Sequence, residues 1–236
     1  MLKASKLTKK FADFTAVNEL DLNVDEGEIF GFLGHNGAGK TTTVLMLTTL
    51  LIPTSGEAKI GGQDVVKDNL QARKLIGYLP ENVNLYGDLS TVENLRFFGK
   101  LSKVENIEKR IDEVLEILKF TQWKQTKVSN LSKGMRQRVG IAQAILHQPK
   151  LLFLDEPASG LDPQGTKEMR ELLQMLNKDF GTTIFMNTHQ LSEVTKICTN
   201  IGIINHSKLL LSDSLESVLK RFPEEKSLED IYLKVG

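Results

Sequence analysis

Apolar positions along this chain switch repeatedly between strand-like and helix-like spacing. Residues 1–11 and the alternating stretch that ends at Val24 predict two antiparallel strands, with Asp25, Glu26 and Gly27 as a turn. Ile29–Leu33 (IFGFL) is an unbroken apolar run of strand length. It leads into a glycine-rich loop and a helix through TTTVLMLTTLL, stopped before Pro53, and GEAKIGGQDV comes next as a further short β region. From Thr91 to about His147 the period becomes helical: Val92, Leu95, Phe98 and Leu101, then Ile107, Ile111, Val114 and Leu118, with TVE and NIE opening the helices. Strands return as KLLFLD, TTIFMN (182–187) and NIGIIN (200–205), separated by helices over residues 164–179 and 190–198. Such βα units imply a largely parallel core sheet. SLESVLKRF and SLEDIYLKV read as two short amphipathic tail helices. The expected fold is α/β: a core of residues 1–90 and 148–213 with an antiparallel β part, a helical subdomain over 91–147 and a helical tail over 214–236, all in one domain.

Composition narrows the partners. Lys plus Arg and Asp plus Glu are both 30, so there is no charge excess to draw nucleic acid, and none is expected as a partner. Cys198 is the single cysteine, which excludes an internal disulfide, fits a reducing compartment and reads as a small apolar residue in a helix. Apolar runs such as LLFL fall far short of the roughly 20 residues that span a bilayer. MLKASKLTKK lacks the apolar core of a signal peptide, so a cytoplasmic chain is expected.

Three stretches carry chemistry. Gly34, His35, Asn36, Gly37, Ala38, Gly39, Lys40 and Thr41 satisfy G-x-x-x-x-G-K-[ST] between a strand and a helix, the context a P-loop requires. Glycines let such a loop wrap a triphosphate, and N–H groups of the loop and helix start, Thr42 included, point at phosphate oxygens. Lys40 supplies charge to the β and γ phosphates, and the Thr41 hydroxyl is placed for Mg²⁺. In LLFLDEP, a buried strand ends in two acids at the carboxyl edge of the sheet: Asp155 suits Mg²⁺, and Glu156 suits proton acceptance from an attacking water. His189 follows a strand ending on the same edge. It either meets the γ phosphate and the water or is satisfied by backbone, and the strand-end position favours the first. His35, His147 and His206 lack that position and read as structural or exposed. The third stretch, LSKGMRQ, puts Ser132 and Gly134 at a helix start, a second anion cradle that one nucleotide in one subunit hardly needs.

The order GHNGAGKTT, GYLPE, LSKGMRQR, LLFLDEP, SGLD and NTH resembles the ATP-binding subunit of an ABC transporter over nearly the whole chain. That resemblance implies a P-loop NTPase core of the ABC ATPase fold, with ATP and Mg²⁺ as cofactors. It also implies a head-to-tail dimer with a second copy or a homologous subunit, in which Ser132, Gly134 and Gln137 close over the partner's ATP. An integral-membrane permease is implied as well, holding the subunit to the inner face of the cell membrane. Phe11 resembles the aromatic residue that stacks on adenine, and Asp162 of SGLD matches the loop that links the two sites. Glu81 stands where the family often has glutamine, in the loop that senses the permease, and is expected to reach the metal. Lys133 and Met135 depart from the common signature; Lys133 either adds charge toward the trans γ phosphate or faces solvent. The arm at 91–120 lies where family members meet a permease, with one of Phe97 and Phe98 expected in the subdomain core. The variants resemble exporters of drugs, ions, peptides or polysaccharides, and no room is expected after residue 215 for the regulatory domain of sugar importers. A soluble ABC ATPase would carry two cassettes or long coiled coils, and a GTPase would carry N-K-x-D, which NKDF at 177–180 does not supply. A small-molecule kinase would have no use for the signature helix.

Overall fold

The chain opens with a β-hairpin, β1 (Leu2–Phe11) and β2 (Phe14–Val24), whose register sets Phe11 opposite Phe14 at its tip. The structure is a computed structural model and describes residues 1–235. β3 (Ile29–Leu33), buried at every position, runs into the glycine loop and α1 (Lys40–Leu47). The helix stops short of the predicted end near Leu51. The Thr48 hydroxyl turns back to the Val44 carbonyl (2.8 Å), Thr49 takes a φ of 65°, and the Leu50 and Leu51 amides fold onto the Leu45 carbonyl at 2.9 and 3.0 Å. A left-handed residue followed by back-folded amides is a usual way to satisfy the last carbonyls of a helix.

β4 (Ser55–Ile60) and β5 (Gln63–Asp64) complete an antiparallel sheet of order β2-β1-β4-β5. α2 (Asn69–Lys74) leads to β6 (Ile76–Leu79), and α3 (Thr91–Leu101) comes after it. A capping box starts α3: Ser90 accepts from the Glu93 amide while Glu93 accepts from the Ser90 amide. α4 (Ile107–Ile117) and α5 (Lys133–Ile145) complete this helical segment. β7 (Leu151–Asp155), α6 (Pro163–Phe180), β8 (Thr183–Thr188), α7 (Leu191–Ile197), β9 (Asn200–Asn205) and β10 (Lys208–Ser214) rebuild the sheet, and α8 (Leu215–Arg221) and α9 (Leu228–Val235) close the described chain.

The second sheet has the order β10-β9-β3-β8-β7-β6, parallel except for the β9–β10 hairpin. Because side chains alternate across a strand, β7 and β8 serve two cores. Leu152, Leu154, Ile184 and Met186 pack with Leu95, Ile111 and Leu115 of the helical segment and Leu172 of α6. On the other face, Phe153 and Phe185 pack with Phe30, Phe32, Val44 and the hairpin residues Leu7, Val17 and Leu20. Phe185 is central there, with ring centroids of Phe30, Phe32 and Phe153 at 5.4, 5.4 and 5.2 Å. Truncating a ring so enclosed costs about 3–5 kcal/mol.

Several expectations are corrected. β6 and β10 are strands that the apolar pattern did not announce. Leu101, counted in the apolar face of α3, is 66% exposed at the helix end. Cys198 follows α7 in an extended conformation rather than lying within it, and is buried with its Sγ where a Cβ on Gly31 would lie 2.9 Å away. Among the described residues no helix is long and apolar enough to cross a membrane.

Candidate nucleotide site

The parallel register brings the chemical residues to one sheet edge. Leu33 pairs with Thr188 and Asp155 with Asn187, so the loop after β3 and the ends of β7 and β8 emerge side by side. Between them opens a cleft of about 470 Å³ lined by loop residues Asn36, Gly37, Gly39, Lys40, Thr41 and Thr42. The facing wall is Glu81, Asp155, Glu156, Asn187 and His189, and Phe14 and Ala16 of the hairpin close one side. Ligands of open α/β sheets collect at this position.

The loop is held from behind. Gly39 has a φ of 109°, and a Cβ there would collide with the Ala16 carbonyl oxygen, so only glycine fits. The Ser207 amide donates to the Ala38 carbonyl (3.2 Å) and its hydroxyl to the Thr15 carbonyl (2.6 Å), which ties the loop to the β9–β10 turn. The His35 ring reaches backwards too, with Nε2 2.6 Å from Asn205 Oδ1. Gly34, His35 and Ala38 therefore support the loop without lining the cleft. Lys40 spans the loop, donating from Nζ to the carbonyls of Gly34 (2.6 Å) and His35 (3.1 Å). Burial lowers its pKa, against the opposing pull of Glu156, Asp155 and Glu81.

The end of β8 grips both acids. Asn187 Nδ2 donates to Asp155 Oδ1 at 2.5 Å. Glu156 accepts from the Thr188 hydroxyl on Oε2 (3.2 Å) and faces His189 Nδ1 across 2.7 Å on Oε1. Its backbone sits at φ 50°, a left-handed conformation that costs an ordinary residue ~1–3 kcal/mol. The Glu156 amide, bonded to the Asn187 carbonyl at 2.8 Å, fixes that turn. Burial raises the Asp155 pKa; the Asn187 hydrogen bond opposes that, the Glu156 and Glu81 charges add to it, and Lys40 opposes it.

Thr41, Asp155 and Glu81 supply hard oxygen donors to the cleft. Among the described residues no three His, Cys, Asp or Glu side chains gather closely enough to hold a metal by themselves. This donor set fits Mg²⁺, which is bound through one or two carboxylates with phosphate oxygens and water rather than in an all-protein cage.

The second cradle lies apart from this cleft. Ser132 caps α5, its hydroxyl accepting from the Met135 amide at 3.3 Å, and Gly134 rests against Leu161. Asp162 caps α6 by accepting from the Gly165 amide at 2.7 Å. Gln137 is 2% exposed and turned inward, its Oε1 without a partner. None of the four lines the cleft. Lys133 lies over Gly160, whose φ of 69° and missing side chain make room for it. The signature and SGLD loops thus touch within one subunit.

The structure adds one aromatic residue to the cleft and corrects one aromatic expectation. Both hairpin-tip rings are exposed; Phe14 lines the cleft, and Phe11, its partner across the hairpin, lies beneath Lys9 with Nζ 5.1 Å from the ring centroid. Neither Phe97 nor Phe98 enters the helical core. They form a partly exposed cluster with Tyr86, with centroids 5.1–6.0 Å apart. Sequence reasoning also missed Asn187 and Thr188. Their signal was present: in a parallel pair, the residues just before a strand-end histidine stand beside the acids that end the next strand.

Known proteins are similar to this chain in sequence and in fold. The family model described as "ABC transporter" matches residues 17–159. The bacitracin transport ATP-binding protein BcrA of Bacillus licheniformis is 42% identical over 221 residues, covering 94% of this chain and 72% of that protein. A solved ATP-binding subunit of an ABC transporter superposes with a TM-score of 0.88 at 27% identity, over 100% of this chain and 99% of that one. The dimeric, post-hydrolysis structure of the cassette MJ0796 with ADP and Pi gives a TM-score of 0.80 at 26% identity, over 91% and 99% of the two chains.

Proposed function

The chain belongs to the ABC transporter family as an ATP-binding subunit, and from that premise we propose that two subunits share each ATP and drive export through a separate permease. The observation that carries this reading is the separation of two anion cradles. The cleft holds Lys40, Thr41, Asp155, Glu156 and His189, while Ser132 and Gly134 lie outside it. Head-to-tail pairing with a second copy or a homologous subunit gives the outlying cradle a nucleotide, as fits the likeness to a cassette solved as a dimer. Gln137 supports the signature helix from inside, and Asp162 fixes the start of α6 beside it.

In this reading the amides of Asn36, Gly37, Ala38, Gly39, Thr41 and Thr42 and the Lys40 ammonium bind the β and γ phosphates. Phe14 and Phe11 at the hairpin tip receive adenine. Glu156 accepts the proton of the attacking water, and His189, already on its carboxylate, orients it and faces the γ phosphate. Thr41 and Asp155 would hold Mg²⁺, which when bound supplies positive charge across the phosphates. Glu81, exposed on its loop, would add an oxygen to that metal's shell on dimer closure and so carry the movement to the permease. The partly exposed cluster of Tyr86, Phe97 and Phe98 is an aromatic patch for that permease. Residues 1–90 and 148–213, 91–147 and 214–236 act as core, helical subdomain and tail of one ATPase unit at the inner face of the membrane.

Export rests on the motif variants and on a relative named for bacitracin transport. The test is ATP-driven substrate movement in vesicles carrying the permease. Glu81→Gln, which keeps an oxygen ligand, is expected to retain transport, and Glu81→Ala to bind ATP normally but lose it. Normal transport by Glu81→Ala overturns the coupling role, and uptake in the import direction overturns export.

A further inference from the structure

Asn187 is 1% exposed, yet its Oδ1 is buried without a hydrogen-bond partner. Buried amide oxygens are rarely left so, and an orphan in a cleft wall marks a place where something binds. The orientation of the amide is set by its other end. Nδ2 donates to Asp155 Oδ1 at 2.5 Å, and the flipped amide would set two oxygens against each other. Oδ1 is therefore an acceptor in need of a donor.

The donors around it already have acceptors of their own, two of the three Lys40 hydrogens included. Lys40 Nζ is bonded to Gly34 and His35, the Thr188 hydroxyl to Glu156, and His189 Nδ1 faces Glu156. The phosphates cannot fill the gap directly, because their ionised oxygens only accept. A water on a dication is the opposite: its oxygen is turned to the metal and both hydrogens must be given away. Such a water beside Asp155 meets a carboxylate and an orphan carbonyl together, because the strand register sets Asp155 opposite Asn187.

We propose that Asn187 is a positioning residue for Mg²⁺: its Nδ2 fixes one oxygen of Asp155, and its Oδ1 accepts a hydrogen bond from a water of the metal's hydration shell. This rests on the ATP-binding reading above. Partners of metal ligands at this remove, when lost, typically weaken metal affinity about 10–100-fold.

The experiment is calorimetric binding of the non-hydrolysable analogue AMP-PNP in EDTA and in saturating Mg²⁺, for the parent, Asn187→Leu and Asn187→Ser. Leucine is close to asparagine in size and removes both polar groups. In Asn187→Leu the affinity in EDTA is expected to stay within about twofold of the parent, and the strengthening by Mg²⁺ to shrink about tenfold or more. Asn187→Ser, which keeps a hydroxyl able to donate and accept, is expected to fall between and provides the measurement if leucine prevents folding. An unchanged Mg²⁺ effect overturns the proposal, and so does an equal loss in EDTA. A fall in turnover with the Mg²⁺ effect intact also overturns it, assigning Oδ1 to the attacking water instead. A parent that binds no nucleotide under either condition contradicts the ATP-binding reading itself, a different result from a parent that responds to Mg²⁺ beside a variant that responds equally.

Discussion

His189 Nδ1 stands 2.7 Å from Glu156 Oε1, and Thr188 holds the other carboxylate oxygen at 3.2 Å. The glutamate that would take a proton is thus oriented by its own neighbours, on a backbone turned into the left-handed region at φ 50°. Orientation of this kind lets a base act without reorganising during the reaction. Lys40 is the counterpart on the other wall, with its ammonium bonded to loop carbonyls.

Binding and turnover should therefore separate. Lys40→Ala is expected to weaken ATP binding, whereas Glu156→Gln should bind ATP and lose turnover by about 100-fold or more, as when a general base is removed. Nucleotide affinity and ATPase rate on the purified variants decide it; parental hydrolysis by Glu156→Gln contradicts the assignment of the base.

Phe14 and Phe11 should differ in weight. An aromatic contact is worth about 0.5–1.5 kcal/mol beyond its buried area, so Phe14→Ala should raise the ATP dissociation constant roughly 2- to 10-fold. Phe11→Ala, at the neighbouring position outside the cleft lining, should cost less. A competition between ATP and GTP on both variants shows which ring meets the base.

Much of the fold and the site was legible in the sequence. The strand, glycine loop and helix around Lys40, the acids ending β7 and the capped start of α5 all follow from residue order, because each depends on a local backbone requirement. What escaped is relational. β6 is four residues long and β10 lies half exposed at the sheet edge, so neither shows a clear period of its own. Asn187 gains its meaning only from the register that sets it against Asp155. Phe14 and Phe11 are both aromatic residues at a hairpin tip, and only the direction of the hairpin tells which lines the cleft.

Two glycines in the loop offer a test of its geometry. Gly37 has a φ of 85° with open space where a side chain would go, whereas Gly39 at 109° faces the Ala16 carbonyl. Gly37→Ala should cost only the left-handed penalty, about 1–2 kcal/mol. Gly39→Ala should cost more, since a collision with backbone adds to it. Urea unfolding midpoints of the two variants measure the difference.

Acid should weaken the fold through His147. Burial lowers its pKa, and its Nε2 lies 2.8 Å from the Ile76 carbonyl, so the native ring is a neutral donor. The unfolded chain takes up a proton near pH ~6.5. Its contribution is complete above that pH and is lost as pH falls toward the lower native value. Between pH ~7.5 and ~5.5, either side of that value, the parent should lose more unfolding free energy than His147→Gln, whose amide can donate to the same carbonyl; equal losses contradict this.

Sharing of each ATP between two subunits is the central claim, and the mass of Glu156→Gln in solution, measured by light scattering with and without ATP, tests it most directly. A monomer without nucleotide that doubles in mass with ATP is the expected result. Adding Ser132→Arg, which places bulk where the partner's phosphate would lie, is expected to return the monomer. An unchanged monomer at saturating ATP, or a dimer indifferent to Ser132→Arg, would contradict the account.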